Sequence, residues 1–250
     1  AFIPFLGIFF LIFKYLEPIT SRFYAALSSL VFATIPNLFY FSTIVYLEQG
    51  ALLFVALSLF FLINIEEYNN DNLNIVTALA GFSGFCKETM LPFLVAMFIT
   101  LLIIEFRKSM FEKQKAFPVS MFSILHYGIL IFSPILPYLL IGKPSGVFVK
   151  TLGNTGIQIL EFNWNNLIDI KTYIIFLKGI MFQFTLPIVI ICILGLLGGF
   201  FIKKYRYVSF VAFMSLLLGF LLFTQNIVGI GFSRYNLTFL PLFFVGFITF

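Results

Sequence analysis

Apolar runs long enough to form membrane helices recur along almost the whole of this 250-residue chain, separated by short polar connectors. They cover roughly residues 1–13, 23–42, 49–65, 74–87, 89–106, 117–141, 173–202 and 207–224, with a further run at 235–250. A helix needs about 20 apolar residues to cross a hydrocarbon core about 30 Å thick. A membrane-spanning β-barrel would instead show segments of about 10 residues with alternating polarity, and these runs are too long and too uniform for that. Only 10% of the residues are charged and 61% are hydrophobic, whereas water-soluble domains carry about 25% charged residues. The expected fold is all-α, a polytopic transmembrane helical bundle of about eight or nine segments.

Residues 1–250 read as one transmembrane domain, with a polar loop at 142–172 inside it. Both ends fall within apolar runs, Ala1-Phe-Ile-Pro-Phe at the start and the run reaching Phe250 at the finish, so the expectation is a piece truncated at both ends. No basic head, short apolar core and small-residue cleavage site marks a signal peptide.

Within this frame the stretch Leu73–Arg107 stands apart. Two apolar segments flank Lys87-Glu88, with Pro92 just beyond. The stretch is too short for two perpendicular crossings. It reads as a short helical hairpin whose tip holds the two charges near one membrane face. Charges inside apolar sequence are costly, which makes them functional candidates.

Side assignment follows from the basic residues, which concentrate in cytoplasmic loops. Connectors 14–22, 66–73, 107–116 and 203–206 hold nine: Lys14, Arg22, Arg107, Lys108, Lys113, Lys115, Lys203, Lys204 and Arg206. The opposite set holds six: Lys87, Lys143, Lys150, Lys171, Lys178 and Arg234. The first set is expected to face the cytoplasm. Glu48, the Lys87-Glu88 tip, the 142–172 loop with Trp164, and Arg234-Tyr235 then share the other face.

Each candidate has a plain structural alternative. Glu48 could carry chemistry or simply stabilise a helix N-terminus. Lys87 suits the phosphate of a lipid-linked donor, or it snorkels from a helix end. Glu88 would point about 100° away from Lys87 on a continuous helix, leaving each free for another partner. Arg234 can grip phosphate through paired hydrogen bonds, with Tyr235 beside it, or both residues anchor a helix at the interface. His126 is the single histidine, so triads and histidine metal clusters lack support, and the ring is read as packed or pore-facing. Cys86 and Cys192 lie in apolar runs and read as small buried hydrophobes rather than a disulfide. Gly195 and Gly199 have the small-xxx-small spacing of close helix packing. Gly142-Lys-Pro-Ser lacks the spacing of a phosphate loop. With no nucleotide motif in the chain, no nucleic-acid partner is expected, and any activated group must arrive with the substrate.

Three stretches together resemble the polyprenyl- or dolichyl-phosphate-dependent glycosyltransferases of the GT-C fold, notably the protein O-mannosyltransferase and aminoarabinose transferase-like members. They are Pro36-Asn-Leu-Phe-Tyr-Phe-Ser-Thr-Ile-Val-Tyr-Leu-Glu48, Ala80-Gly-Phe-Ser-Gly-Phe-Cys-Lys87-Glu-Thr, and Arg234-Tyr-Asn-Leu-Thr-Phe-Leu-Pro241. Cys86 stands where many relatives have Thr. The resemblance implies sugar transfer, with inversion, from a polyprenyl- or dolichyl-phosphate sugar to an acceptor glycan, lipid or protein. It places the site on the periplasmic or exterior face of the plasma (inner) membrane. Lys87, Arg234 and Tyr235 would bind the donor phosphate, Glu48 would support catalysis, and Glu88 is a further candidate. The family's main catalytic Asp belongs to a first loop expected upstream of Ala1. No cofactor is predicted; some members use a divalent metal, but no second carboxylate cluster argues for one here.

Two rival classes use the same residues. A transporter or flippase for a lipid-linked or anionic solute would exploit the buried charges and the broken hairpin, although its site should lie near the bilayer midplane. A helical scaffold subunit would need them only as interfacial anchors.

Overall fold

The computed structural model describes residues 2–18, 20–33, 47–65, 70–86, 90–111, 121–135, 169–171, 174, 186–223 and 245–246. These form eight helices: α1 Phe2–Leu16, α2 Arg22–Ala33, α3 Leu47–Asn64, α4 Asn70–Cys86, α5 Leu91–Phe111, α6 Met121–Phe132, α7 Leu186–Gly199 and α8 Arg206–Phe223. A 3-10 turn, Ser133–Ile135, follows α6, and no strand occurs among the described residues. Each of the eight apolar runs between residues 1 and 224 overlaps one of these helices.

Helix boundaries follow local chemistry. Ser21 caps α2, its hydroxyl accepting from the Tyr24 amide at 3.4 Å, as an N-cap serine does. Asp71 lies in the first turn of α4, where a carboxylate complements the helix dipole. Pro92 sits in the first turn of α5 and Pro187 in that of α7; there a proline gives up no helical hydrogen bond. Gly198 and Gly199 close α7, and the chain turns back through Phe200–Tyr205 on short-range backbone bonds such as Phe201 N to Gly198 O at 3.0 Å.

The Leu73–Arg107 stretch is a helical hairpin, and its arms are longer than the apolar pattern suggested. The helix of α4 starts at Asn70 and that of α5 continues to Phe111. At 1.5 Å per residue they measure about 25 Å and 31 Å. The extra turns are polar, carrying Asp71 on α4 and Arg107 and Lys108 on α5, so hydrophobicity underestimates them. Among the described residues no helix is long and apolar enough to cross a membrane.

Helix α3 lies at the centre of the bundle, packed against α1, α4 and α8. Ala51, Leu52, Val55, Ala56, Leu59, Leu62 and Ile63 are all buried along it. Residues spaced by three and four fall on one helical face. Ile8, Ile12 and Tyr15 of α1 form such a face, as do Leu73, Val76, Thr77 and Ala80 of α4, Phe93, Leu94, Met97 and Leu101 of α5, and Val208, Val211 and Ala212 of α8. Most of the buried serine and threonine hydroxyls bond within their own helices; that of Ser209 on α8 has no hydrogen-bond partner among the described residues. Ser29, Ser58, Thr77, Ser83, Thr100 and Ser215 each donate to a carbonyl three or four residues back.

The outer surface is apolar as well. Ile3 is 82% exposed, Phe122 76% and Phe201 87%. Phe10, Phe23, Ile129, Leu186, Ile193 and Leu194 also point outward.

Candidate functional site

Helices α3 and α4 run antiparallel, with Phe54 stacked on Phe82 at 5.5 Å between ring centroids. Their meeting continues to one end of the bundle. A Cβ placed on Gly50 of α3 would stand 3.4 Å from the Cys86 sulfur of α4. Glu48 lies two residues before Gly50, in the first turn of α3, and Lys87 follows Cys86 directly. The backbone carrying Glu48 and the chain leading to Lys87 therefore share that end.

The glycines of Ala80-Gly-Phe-Ser-Gly-Phe-Cys86 fit this end of the hairpin to its neighbours. A Cβ on Gly81 would lie 2.5 Å from the Leu130 carbonyl oxygen and 3.2 Å from Pro134 Cγ. One on Gly84 would lie 2.6 Å from Leu94 Cδ1 of α5. Gly81 thus admits the backbone at the finish of α6, and Gly84 admits the opposite arm. Cys86 is half-buried, Cys192 is buried, and both are free thiols.

Lys87 and Glu88, in the 87–89 junction of the hairpin, lie outside the described residues, as do Arg234, Tyr235 and the 142–172 loop apart from 169–171. Glu48 is placed on α3, and nothing is described of its side chain. Gly195 and Gly199 lie on the buried side of α7 with Val189, Cys192 and Leu196.

The opposite end of the bundle carries the described polar network. Lys14 and Arg22 both pair with Glu17, at 3.1 and 3.0 Å. The Lys14 hydrogen bond is the main cause that holds the Glu17 carboxyl below its ordinary 4.5, and the charges of Lys14 and Arg22 act in the same direction. The Lys204 ammonium stands over the rings of Tyr15 and Tyr205, 5.9 and 6.0 Å from their centroids. Arg107 donates to the Tyr207 hydroxyl at 3.3 Å, joining the finish of α5 to the start of α8. These contacts gather the finish of α1, the finish of α5 and the α7–α8 turn at one end.

Two adjacent residues of α6 reach both arms of the hairpin at this end. His126 Nε2 stands 2.8 Å from Asn74 Oδ1 of α4. The Tyr127 hydroxyl donates to Glu105 of α5 at 3.1 Å, and Lys108 lies 3.7 Å from the same carboxylate oxygen. The lone histidine is thus a tethered, partly buried ring, also stacked on Phe122 at 6.0 Å. Asn74, Glu105 and Tyr127 were not singled out from sequence. The available signal was Glu105, an acid within one turn of Arg107-Lys108. Among the described residues no group of three or more His, Cys, Asp or Glu stands together to hold a metal ion.

The described residues thus form a helical bundle with apolar side chains on its outer surface and a basic, tyrosine-rich end. A family model described as dolichyl-phosphate-mannose-protein mannosyltransferase matches residues 2–140, more than half of the chain. The protein belongs to that family. Membership implies glycosyltransferase activity of the mannosyltransferase type, with a dolichyl-phosphate-sugar donor and an acceptor. No curated protein and no solved structure matches the chain.

Proposed function

We propose that this protein is a membrane-embedded glycosyltransferase that moves a sugar from a polyprenyl-phosphate-linked donor to an acceptor outside the cytoplasm, with inversion. The observation that carries the reading is the meeting of the α3 start with the α4 finish at Gly50 and Cys86, inside the part matched by the family. It brings the chain around an acidic residue beside the chain around a lysine. Sugar transfer from a lipid phosphate needs such a pairing, because positive charge develops on the sugar while negative charge collects on the departing phosphate.

In the reaction the bond between the anomeric carbon and the donor phosphate oxygen breaks, and the acceptor oxygen bonds to that carbon from the opposite face. The acceptor proton passes to a base. Lys87 and Arg234, with Tyr235, neutralise the leaving phosphate, the kind of electrostatic stabilisation that dominates many enzymes. Glu48 positions the acceptor or stabilises the cationic sugar. Glu88 receives no role.

The bilayer is the medium that the outward-facing apolar side chains require, since contiguous exposed apolar surface of this extent marks an interaction or membrane surface. Buried hydroxyls bonded to their own helix carbonyls suit the same medium, where an unpaired polar group costs several kcal/mol. We place the Lys14, Arg107 and Lys203–Arg206 end at the cytoplasmic face and the hairpin tip at the periplasmic or exterior face.

The test is transfer from radiolabelled polyprenyl-phosphate sugars by the full chain in lipid vesicles. Lys87→Ala and Arg234→Ala should each lower turnover by about 100-fold or more, the scale of losing one charge-stabilising donor. A Lys87→Ala protein with unchanged rate and donor affinity would remove that residue from the site.

A further inference from the structure

The α7–α8 turn reads Phe200-Phe-Ile-Lys-Lys-Tyr-Arg206. Its cations differ from the others at the same end of the bundle. Lys14 and Arg22 are paired with Glu17, and Lys108 with Glu105. Lys204 instead lies over two tyrosine rings, and Arg206 donates to the Phe200 carbonyl at 3.4 Å. Arg107, brought to the turn from α5, donates to the Tyr207 hydroxyl. Aromatic faces, carbonyls and hydroxyls orient a cation without cancelling its charge. Among the described residues no carboxylate is ion-paired with Lys203, Lys204, Arg206 or Arg107.

Apolar exposure adjoins this charge directly. Phe201 is 87% and Ile202 44% exposed, and Lys203 and Lys204 are exposed beside them. A soluble anion would have no use for that apolar edge. A lipid meets both, with acyl chains against Phe201 and Ile202 and a phosphate among the cations.

We propose that the α7–α8 turn, with Arg107, is a binding site for the headgroup of an anionic phospholipid. The site is separate from the donor site, which lies at the other end of the hairpin, and it rests on the membrane reading given above. Lys203 and Lys204 supply point charges to the headgroup. Arg206 and Arg107 are pre-positioned by their partners, which lowers the ordering cost of binding.

The experiment uses the full chain in phosphatidylcholine bilayers doped with spin-labelled phosphatidylglycerol or spin-labelled phosphatidylcholine, and measures the relative association of each with the protein. The wild type should prefer phosphatidylglycerol. Lys203→Gln should reduce that preference about fivefold, and Lys203→Gln/Lys204→Gln further by a similar factor, the scale of one juxtamembrane charge each. Lys203→Arg/Lys204→Arg should retain it. Lys14→Gln, which removes a cation already paired with Glu17 and leaves Glu17 to Arg22, should leave it intact. Equal association of the two lipids with the wild type would overturn the site, as would an unchanged preference in the double glutamine variant. Equal loss in the Lys14→Gln control, or displacement of the lipid by soluble glycerol phosphate, would overturn it too. Failure of the protein to enter either bilayer would instead overturn the membrane reading, and the site with it.

Discussion

Replacing single glycines by alanine along the hairpin and its neighbours should give changes of opposite sign that only the packing explains. In a helix interior, Gly→Ala gains about 0.5–1 kcal/mol from reduced backbone entropy in the unfolded chain. At Gly198, in the last turn of α7, a new Cβ meets nothing within 4 Å, so Gly198→Ala should show part of that gain with no packing cost. At Gly84 the new carbon meets Leu94 Cδ1 at 2.6 Å, the movable tip of a side chain, so gain and cost should roughly offset. At Gly81 it meets the Leu130 carbonyl at 2.5 Å, the Ile131 carbonyl at 3.3 Å and the Pro134 ring at 3.2 Å. None of these can swing away without moving the backbone at the end of α6. Overpacking of that kind costs about 1–3 kcal/mol, which outweighs the helix gain and leaves a net loss of about 1–2 kcal/mol. Thermal unfolding followed by circular dichroism in one detergent would resolve this, since 1 kcal/mol moves the midpoint by roughly 2–4 °C in a chain of this size. The expected order of Tm is Gly198→Ala above wild type, Gly84→Ala close to it, and Gly81→Ala several degrees below. A Gly81→Ala midpoint at or above wild type would refute the close approach of α4 to α6.

Three further outcomes follow from the described contacts. Asn74→Ala and His126→Ala should each cost about 1 kcal/mol, and the double variant should lose less than the sum, because the two share one hydrogen bond; additive losses in a double-mutant cycle would show that the tether is not formed. Leu59→Ala, at a fully buried position on the central helix, should cost about 2–5 kcal/mol, read as a lowered unfolding midpoint. The Glu17 carboxyl is held below its ordinary 4.5 in the folded protein, first by the Lys14 hydrogen bond; its contribution is therefore present above the unfolded value and is lost as pH falls through the folded one. Unfolding midpoints recorded on acidification should accordingly fall further for wild type than for Glu17→Gln, and identical slopes would remove Glu17 from the pH response.

How far the structure was legible depends on the kind of interaction. Apolar periodicity located all eight helices, because each must bury or expose hydrophobic surface over several turns. It misjudged their ends where charge continues a helix, as Arg107 and Lys108 do in α5, and where glycine stops one, as at Gly198-Gly199 in a run read to residue 202. The basic connectors were read as facing the cytoplasm; the Arg107–Tyr207 and Lys204–Tyr15 contacts bring the finish of α5 and of α1 to the α7–α8 turn and the start of α8. His126 shows the limit. Its partner Asn74 is 52 residues away in sequence, and no local pattern marks an asparagine inside an apolar helix as the residue a distant imidazole will reach. The hairpin glycines were legible as a motif, but their division of labour, Gly81 toward α6 and Gly84 toward α5, is a property of packing alone. The site residues themselves remain proposals on the strength of the resemblance and the shared end of α3 and α4.

The self-bonded hydroxyls of Ser29, Ser58, Thr77, Ser83, Thr100 and Ser215 have a mechanical consequence. Because each carries its acceptor on its own helix, two neighbouring helices can slide or part along these seams without stranding a donor. The hydrogen bonds that join Asn74 to His126, Glu105 to Tyr127 and Arg107 to Tyr207 stretch as soon as their helices move, and all three lie at the basic end. These three contacts tie the described helices together at that rim. Small rearrangements should open the bundle toward the end where α3 begins and α4 finishes.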